Sequence, residues 1–421
     1  MSVPPPIIPE ATGSFGSFET VGASLSAPRS PFLIVILSLF LAAFVLHAAV
    51  SFLDDALALA FRFQLLAAPR GLLTLAAALL GLVVLVLAAF TRRVPKRCFV
   101  PLALFNFLAP LLLIPLLIYQ YERLHLGAWI LSAIQLAVAL GALAWARGGL
   151  RSRWPLVAEE RLGPPGFRWG NLIGFVLANL CVLLPAIVLY LAFCASLAVG
   201  HFSGGFLALQ SDGLTAKATR FIRDDGKSIK LIPMMHIGEP AFYARVTRSF
   251  PTNALVLLEG VTDQTHLIQE KLSYKRLASS LGLVEQQSGF EPGRAQGNSR
   301  RADVDVSVFS KSTIELLNLA ARIHAEGFRS QAFLDVVRRG EDPALGKQLW
   351  EDILTGRNRH LLEEIQTGLQ ESDVLVVPWG AAHMPGVAEG IRQLGFKSAE
   401  IQEFKVVLFR TVLARLFLRL S

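Results

Sequence analysis

The sequence predicts a multi-pass α-helical membrane region followed by a mixed α/β domain with helices flanking its sheet. Three observations predict it. Five apolar runs of about membrane-spanning length occupy the first half. Charge is sparse there and dense afterwards: residues 1–202 hold 13 Lys/Arg and 7 Asp/Glu, whereas residues 203–421 hold 27 and 25. From about residue 203, strand-like and helix-like stretches alternate, which is the pattern of an α/β domain. The 421-residue chain is 53% hydrophobic and only 17% charged, with a mean hydropathy of +0.50. A soluble globular domain is about 25% charged, so the whole chain is not water-soluble, and collagen-like, coiled-coil and fully disordered chains are excluded.

Residues 1–31, beginning MSVPPPIIPE, are rich in Pro, Ser and Gly. They are expected to form a disordered tail. They do not form a signal peptide, because no charged start leads into a short apolar core. Residues 32–202 form the expected membrane region. Its spans are residues 32–53, 71–90, 98–121, 128–146 and 172–200, each near the ~20 residues that cross a bilayer as a helix. The stretch 54–70 carries Asp54, Asp55, Arg62 and Arg70 among apolar positions. It reads as an interfacial amphipathic helix; a sixth span there would reverse everything after it. His47, Gln120 and Gln135 lie in or near spans, where polar groups are functional suspects. With spans so drawn, no acidic pair lies inside them, and a proton-relay transporter is not supported.

The loops set the orientation. Residues 91–97 hold four Lys/Arg and residues 147–171 hold five, whereas the loop around Arg123 holds one. Lys/Arg-rich loops stay in the cytoplasm. The N-terminus is then inside, and residues 203–421 lie outside the cytoplasm, as expected for a bacterial inner-membrane protein. The basic charge is therefore a topology signal. No basic-aromatic stripe accompanies it, so the expected partners are the lipid bilayer and a peptide or protein substrate, not nucleic acid.

In the polar half, residues 229–234, 254–260, 373–380 and 404–409 are the strand candidates. Residues 239–249, 264–281, 311–326, 331–339, 344–369 and 386–394 are the helix candidates, and the Gly-rich stretch 285–302 reads as a loop. About 220 residues suffice for one core. The terminal RTVLARLFLRLS is an apolar helix with basic spacing, suited to a membrane surface or to core packing.

Two stretches look alike. KLIPMMHIGEPAFY runs through Pro233 to His236, and VLVVPWGAAHMPG runs through Pro378 and Gly380 to His383. Between them, LLEG puts Glu259 at the end of another strand. Loops beyond strand carboxyl ends are where α/β folds build sites. Two His and a Glu can hold a divalent metal with open positions, and a metal-bound water becomes a nucleophile. The three cysteines, Cys98, Cys181 and Cys194, all precede residue 203. Any ligands in the polar half are thus nitrogen and oxygen, suiting Zn, Mn, Co or Fe. There is no HExxH helix of the common metalloprotease kind.

The ordered set of H-I-G-x-x-x-F-Y after a strand, LLEGVTD, RNRHLLEEI and GAAHMPG resembles the TraB/PrgY/GumN family, which includes the TIKI membrane-tethered metalloproteases. The resemblance covers roughly residues 229–396. It implies a TraB-like α/β domain and a metal-dependent peptidase. His236, Glu259 and His383 would be the metal ligands, and Glu259 and Arg357 the catalytic groups. Gly380 and His383 match the family's second G-x-x-H motif. His236 matches the first His, but Pro233 stands where the first Gly would be. Arg357 and Asn358 match an Arg-Asn pair before a helix.

Other residues keep two readings. Arg357 clamps a substrate carboxylate or pairs with Glu363 or Glu364. Asn358 and Tyr243 bind substrate, unless Tyr243 packs in the core. Asp303 and Asp305 alternate on a possible strand, as a ligand and base or as a solvated edge. His266, His324 and His360 read as ordinary surface groups, and Gln286 and Gln287 are suggestive only of the GumN-type members. Three function classes remain open: a membrane-anchored metal-dependent hydrolase, a non-enzymatic binder that sequesters a peptide signal, and a membrane scaffold or transporter.

Overall fold

The computed structural model describes residues 31–63, 65–147, 154–269, 273–290, 298–326 and 343–420. The tail, the helix candidate 331–339, and Arg151 and Arg153 of the basic loop lie outside these. Five helices among the described residues are long and apolar enough to cross a membrane: Pro31–Phe61, Ala67–Phe90, Lys96–Tyr119, Tyr121–Arg147 and Trp169–Phe202. The chain divides into two compact units. One comprises residues up to Leu113 and Glu122–Val182; the other comprises Ile114–Tyr121 and Leu183 onward.

In the first unit, α1 (Pro31–Phe61) packs against α2 (Ala67–Phe90), α3 (Lys96–Leu108) and a fourth helix, Leu124–Arg147. Leu37, Phe40, Leu41 and Phe44 of α1 are fully buried, so this helix is the centre of the unit. The stretch 54–70 differs from the expected interfacial helix. α1 runs on through Asp54 and Asp55 to Phe61, and the chain turns before α2 begins at Ala67. The physical reason is pairing: Arg70 reaches Asp55 at 2.5 Å and Asp54 at 3.4 Å, and the Leu66 N–H donates to Asp54 at 2.9 Å. With its acids paired to Arg70, α1 remains regular past the apolar stretch. Asp54 and Asp55 are thus buried on a helix long and apolar enough to cross a membrane, which corrects the expectation that the spans hold no acidic pair.

The second unit holds a seven-stranded mixed sheet. Strands β1 (Leu207–Gln210) and β2 (Gly213–Ile222) pair antiparallel, and β2 also pairs antiparallel with β3 (Ser228–Met234) and with the late strand Lys397–Leu408. A parallel half follows. β3 lies beside Val374–Gly380, which lies beside Leu255–Leu258, which lies beside Asn298–Arg301. All four strand candidates fall on strands. Asn298–Arg301 was instead expected to be loop, because NSRR lacks the apolar run of a buried strand.

Period-two alternation divides the core into two layers. Ile229, Leu231, Leu255, Leu257, Leu375 and Val377 face the helices Arg357–Glu371 and Met384–Gln393. Ile232, Val256 and Val376 face Phe242, Tyr243 and Val246 of the helix Pro240–Arg248. Crossover helices on both faces leave one open end of the parallel half, where its carboxyl ends emerge.

Candidate functional site

Four parallel strands point their carboxyl ends the same way, and each is followed within three residues by a chemistry-bearing side chain. His236 follows Met234, Glu259 follows Leu258, Asp303 follows Arg301, and His383 follows Gly380. Arg357 and Asn358 reach this edge from the start of the helix Arg357–Glu371. The sequence reads residues 344–369 as one helix. The structure interrupts it with a wide π-helical turn over Glu351–Gly356, directly before Arg357. Such turns re-aim the side chains beside them and recur at functional sites.

Arg357 is the hub. Its Nε donates to Asp303 Oδ1 at 2.9 Å, and one terminal nitrogen donates both to Asp303 Oδ2 at 2.7 Å and to Glu259 Oε1 at 2.9 Å. The guanidinium lies over the Trp379 ring, 5.4 Å from its centre. The Asp303 side chain is wholly buried, and that of Glu259 is 14% exposed. Asp303 also accepts the Gly260 and Val304 N–H groups, and Glu259 Oε2 accepts the Gly380 N–H at 2.6 Å. A Cβ at Gly380 would come within 3.3 Å of Glu259 Oε2, so a small residue lets strand and carboxylate meet.

His383 sits at the start of the helix Met384–Gln393 and is buried. Its Nδ1–H donates to Asn358 Oδ1 at 2.7 Å, so the ring lone pair is on Nε2, 3.6 Å from Glu259 Oε1. Trp379 meets the ring edge-on at 5.2 Å. Its own Nε1–H is fixed on the Leu257 carbonyl. Burial pulls the His383 pKa down to about 4; the Arg357 and His236 charges add to this, against the opposing pull of Glu259 and Asp303. At neutral pH the imidazole is therefore uncharged, with an available lone pair.

His236 is exposed and stacks parallel on Tyr274 at 5.3 Å. Its carbonyl accepts the Gln286 N–H, and Ile237–Gly238 pairs with Val284–Glu285 in a two-stranded ribbon. Gln286 thus takes part through its backbone. Of the two readings of Tyr243, core packing is the one that fits: it is fully buried, and its hydroxyl donates to the Met235 carbonyl at 2.7 Å. It is a support for the segment that carries His236. Arg357 pairs with Glu259 and Asp303, not with Glu363 or Glu364. Asp303 is a buried ion-pair partner beyond a strand, and Asp305 is a loop cap. The Asp305 carboxylate accepts from Ser307, Thr262 and Gln264, bonds that hold its pKa well below the ordinary carboxylate range.

Glu259 has a donor on each oxygen, one of them a cation. Among the described residues no group of three or more His, Cys, Asp or Glu side chains is arranged to hold a metal ion. A divalent ion at Glu259 would stand against Arg357, so the residues as arranged do not fit a three-ligand cage. Trp379 is the contributor that sequence reading passed over, although it stands between Pro378 and Gly380 in a motif already singled out. A groove of about 310 Å³ lined by Val304, Phe309, Gly356, Arg357, His360 and Glu363 opens beside the hub. Comparison with known protein families, curated proteins and solved structures returns no match.

Proposed function

We propose that residues 203–421 form a membrane-anchored hydrolase domain that cleaves an amide bond, most simply in a peptide, at the Glu259–Arg357–His383 cluster. One observation carries the reading. A buried, uncharged His with a free Nε2 lies beside a carboxylate at the carboxyl edge of a parallel sheet, where a strongly perturbed pKa marks a candidate site. The resemblance to the TraB/PrgY/GumN family belongs to this reading, as do the roles of His236 and Asn358.

The chemistry follows from the hydrogen bonds. Nε2 of His383 takes a proton from a water, whose oxygen adds to the substrate carbonyl carbon. Asn358 holds the ring in the required tautomer, and Glu259 stabilises the imidazolium that forms. The proton passes to the departing nitrogen as the carbon–nitrogen bond breaks. Arg357, lining the groove, supplies positive charge for a substrate carboxylate or for the developing oxyanion. A second reading, peptide binding without turnover, is favoured by the saturation of the acids: Glu259 and Asp303 are already paired by Arg357.

The test is peptide turnover by the full chain in detergent, as purified, after chelation, and for His383→Ala. Turnover lost in His383→Ala and kept after chelation is expected. Turnover lost on chelation, with metal present in the purified protein, would replace the water-activating His by a divalent ion such as Zn, Mn, Co or Fe. Tight binding without turnover would favour the sequestering reading.

The domain's placement outside the cytoplasm rests on the Lys/Arg-rich loops and five spans. A cytoplasm-only reporter fused after Ser421 is expected to be silent. An active reporter would reverse the topology.

A further inference from the structure

The first unit holds a polar chain that an anchor does not need. On α1, His47, Ser51, Asp54 and Asp55 are each at most 9% exposed. Ser51 lies four residues after His47, and Asp54 and Asp55 lie three and four after Ser51, which places them along one helix face. The Asp pair stands where the apolar stretch ends, and His47 lies about 11–12 Å deeper at the helical rise.

The hydrogen bonds around His47 fix its proton. Thr74 Oγ1 donates to the Arg70 carbonyl at 2.8 Å, so it accepts from His47 Nε2–H at 2.9 Å. On the other side, the Gln135 amide nitrogen donates to His47 Nδ1 at 3.0 Å. The imidazole is thus neutral with its lone pair capped by an amide N–H. A half-turn of that amide would present its oxygen instead and accept from a protonated Nδ1. Both protonation states are then fully hydrogen-bonded, in a place where an unsatisfied group is costly.

Two further observations point the same way. Asp54 and Asp55 carry two negative charges against the single cation Arg70. One added proton makes the set neutral, which low dielectric favours. Between the Asp pair and His47 lies Ser51, whose buried hydroxyl has no hydrogen-bond partner among the described residues. From α2 the charged group facing this set is Arg70. From the helix Leu124–Arg147 the facing polar group is the uncharged Gln135 amide, and His125 at that helix's start is exposed. The charged groups of α3, Lys96 and Arg97, are at its first turn.

We propose that the membrane unit contains a proton-binding site. His47 takes up one proton at Nδ1, delivered past Asp54, Asp55 and Ser51 from the membrane face at the α1–α2 turn, and the Gln135 amide turns to receive it. The test is histidine ¹⁵N NMR of the full chain in lipid bilayers, across about pH 8 to pH 4 around the ordinary His range. The signal absent from His47→Gln is expected to pass from the Nε2–H tautomer to imidazolium. Gln135→Glu, a permanent acceptor, should raise its midpoint by about one pH unit or more. If His47→Gln fails to fold, the signal moved by Gln135→Glu makes the assignment. A signal neutral throughout, or one whose midpoint Gln135→Glu leaves in place, overturns the proposal.

Discussion

Replacing Arg357 by methionine is expected to destabilise the α/β domain by about 3–5 kcal/mol at neutral pH, the cost of breaking a buried ion pair from one side. The substitution keeps the aliphatic part of the side chain and removes the guanidinium that lies over Trp379. It removes four hydrogen bonds, three of them to carboxylates, and leaves Asp303, wholly buried, with the Gly260 and Val304 N–H groups, while Glu259 keeps that of Gly380. Arg357→Lys restores a charge without the fork and should recover only part. Removing the stranded acid as well, in Arg357→Met with Asp303→Leu, should recover more, because the penalty lies in the unpaired carboxylate and not in a missing attraction. Denaturant unfolding of the full chain in detergent measures all three. A loss under about 1 kcal/mol for Arg357→Met, or no recovery in the double variant, would show that the cluster is solvated and not the dry network described.

How much of this was legible in the sequence depends on whether the deciding interaction was local. The four strand candidates were readable because IKLIPM, ALVLLEG, DVLVVPWG and FKVVLF carry their own apolar signal. The carboxyl-edge arrival of His236, Glu259 and His383 followed from the same runs. Asn298–Arg301 was not readable, because NSRR becomes a strand only through its pairing with Leu255–Leu258, some forty residues away. The same holds for the helix continuing through Asp54 and Asp55. Two adjacent acids argue for an interface until Arg70 is seen to pair with both.

The site shows the limit most sharply. The sequence offers Arg357 as a substrate clamp or as a partner of Glu363 or Glu364 on its own helix, and no local spacing points to the acids it meets. The π-helical turn before it and the parallel strands opposite bring Glu259 and Asp303 instead, 98 and 54 residues away. Tyr243, seven residues after His236, left core packing and substrate contact both open in the sequence, and its helix turns that face into the core.

The pH dependence of the α/β domain should carry the signature of His383. Its pKa is depressed from an ordinary 6.5 to about 4, so the folded state refuses a proton that the unfolded chain accepts between those values. The stability this contributes is complete above about pH 6.5. It is lost as pH falls from there toward about 4, and below that the two states bind the proton alike. The depression corresponds to about 3 kcal/mol across the window. In His383→Leu, which keeps an apolar side chain against Trp379, the fall across that window should flatten by about this amount. The proposed chemistry shares the group but not the pH range. Nε2 remains a free base in the folded protein down to about pH 4, so peptide turnover should persist into mildly acidic solution, where stability is already declining. Unfolding curves and initial rates taken at the same pH values separate the two. A turnover that falls with a midpoint near 6.5, in parallel with no change in stability, would mean that His383 is solvated and ordinary, and that the base lies elsewhere.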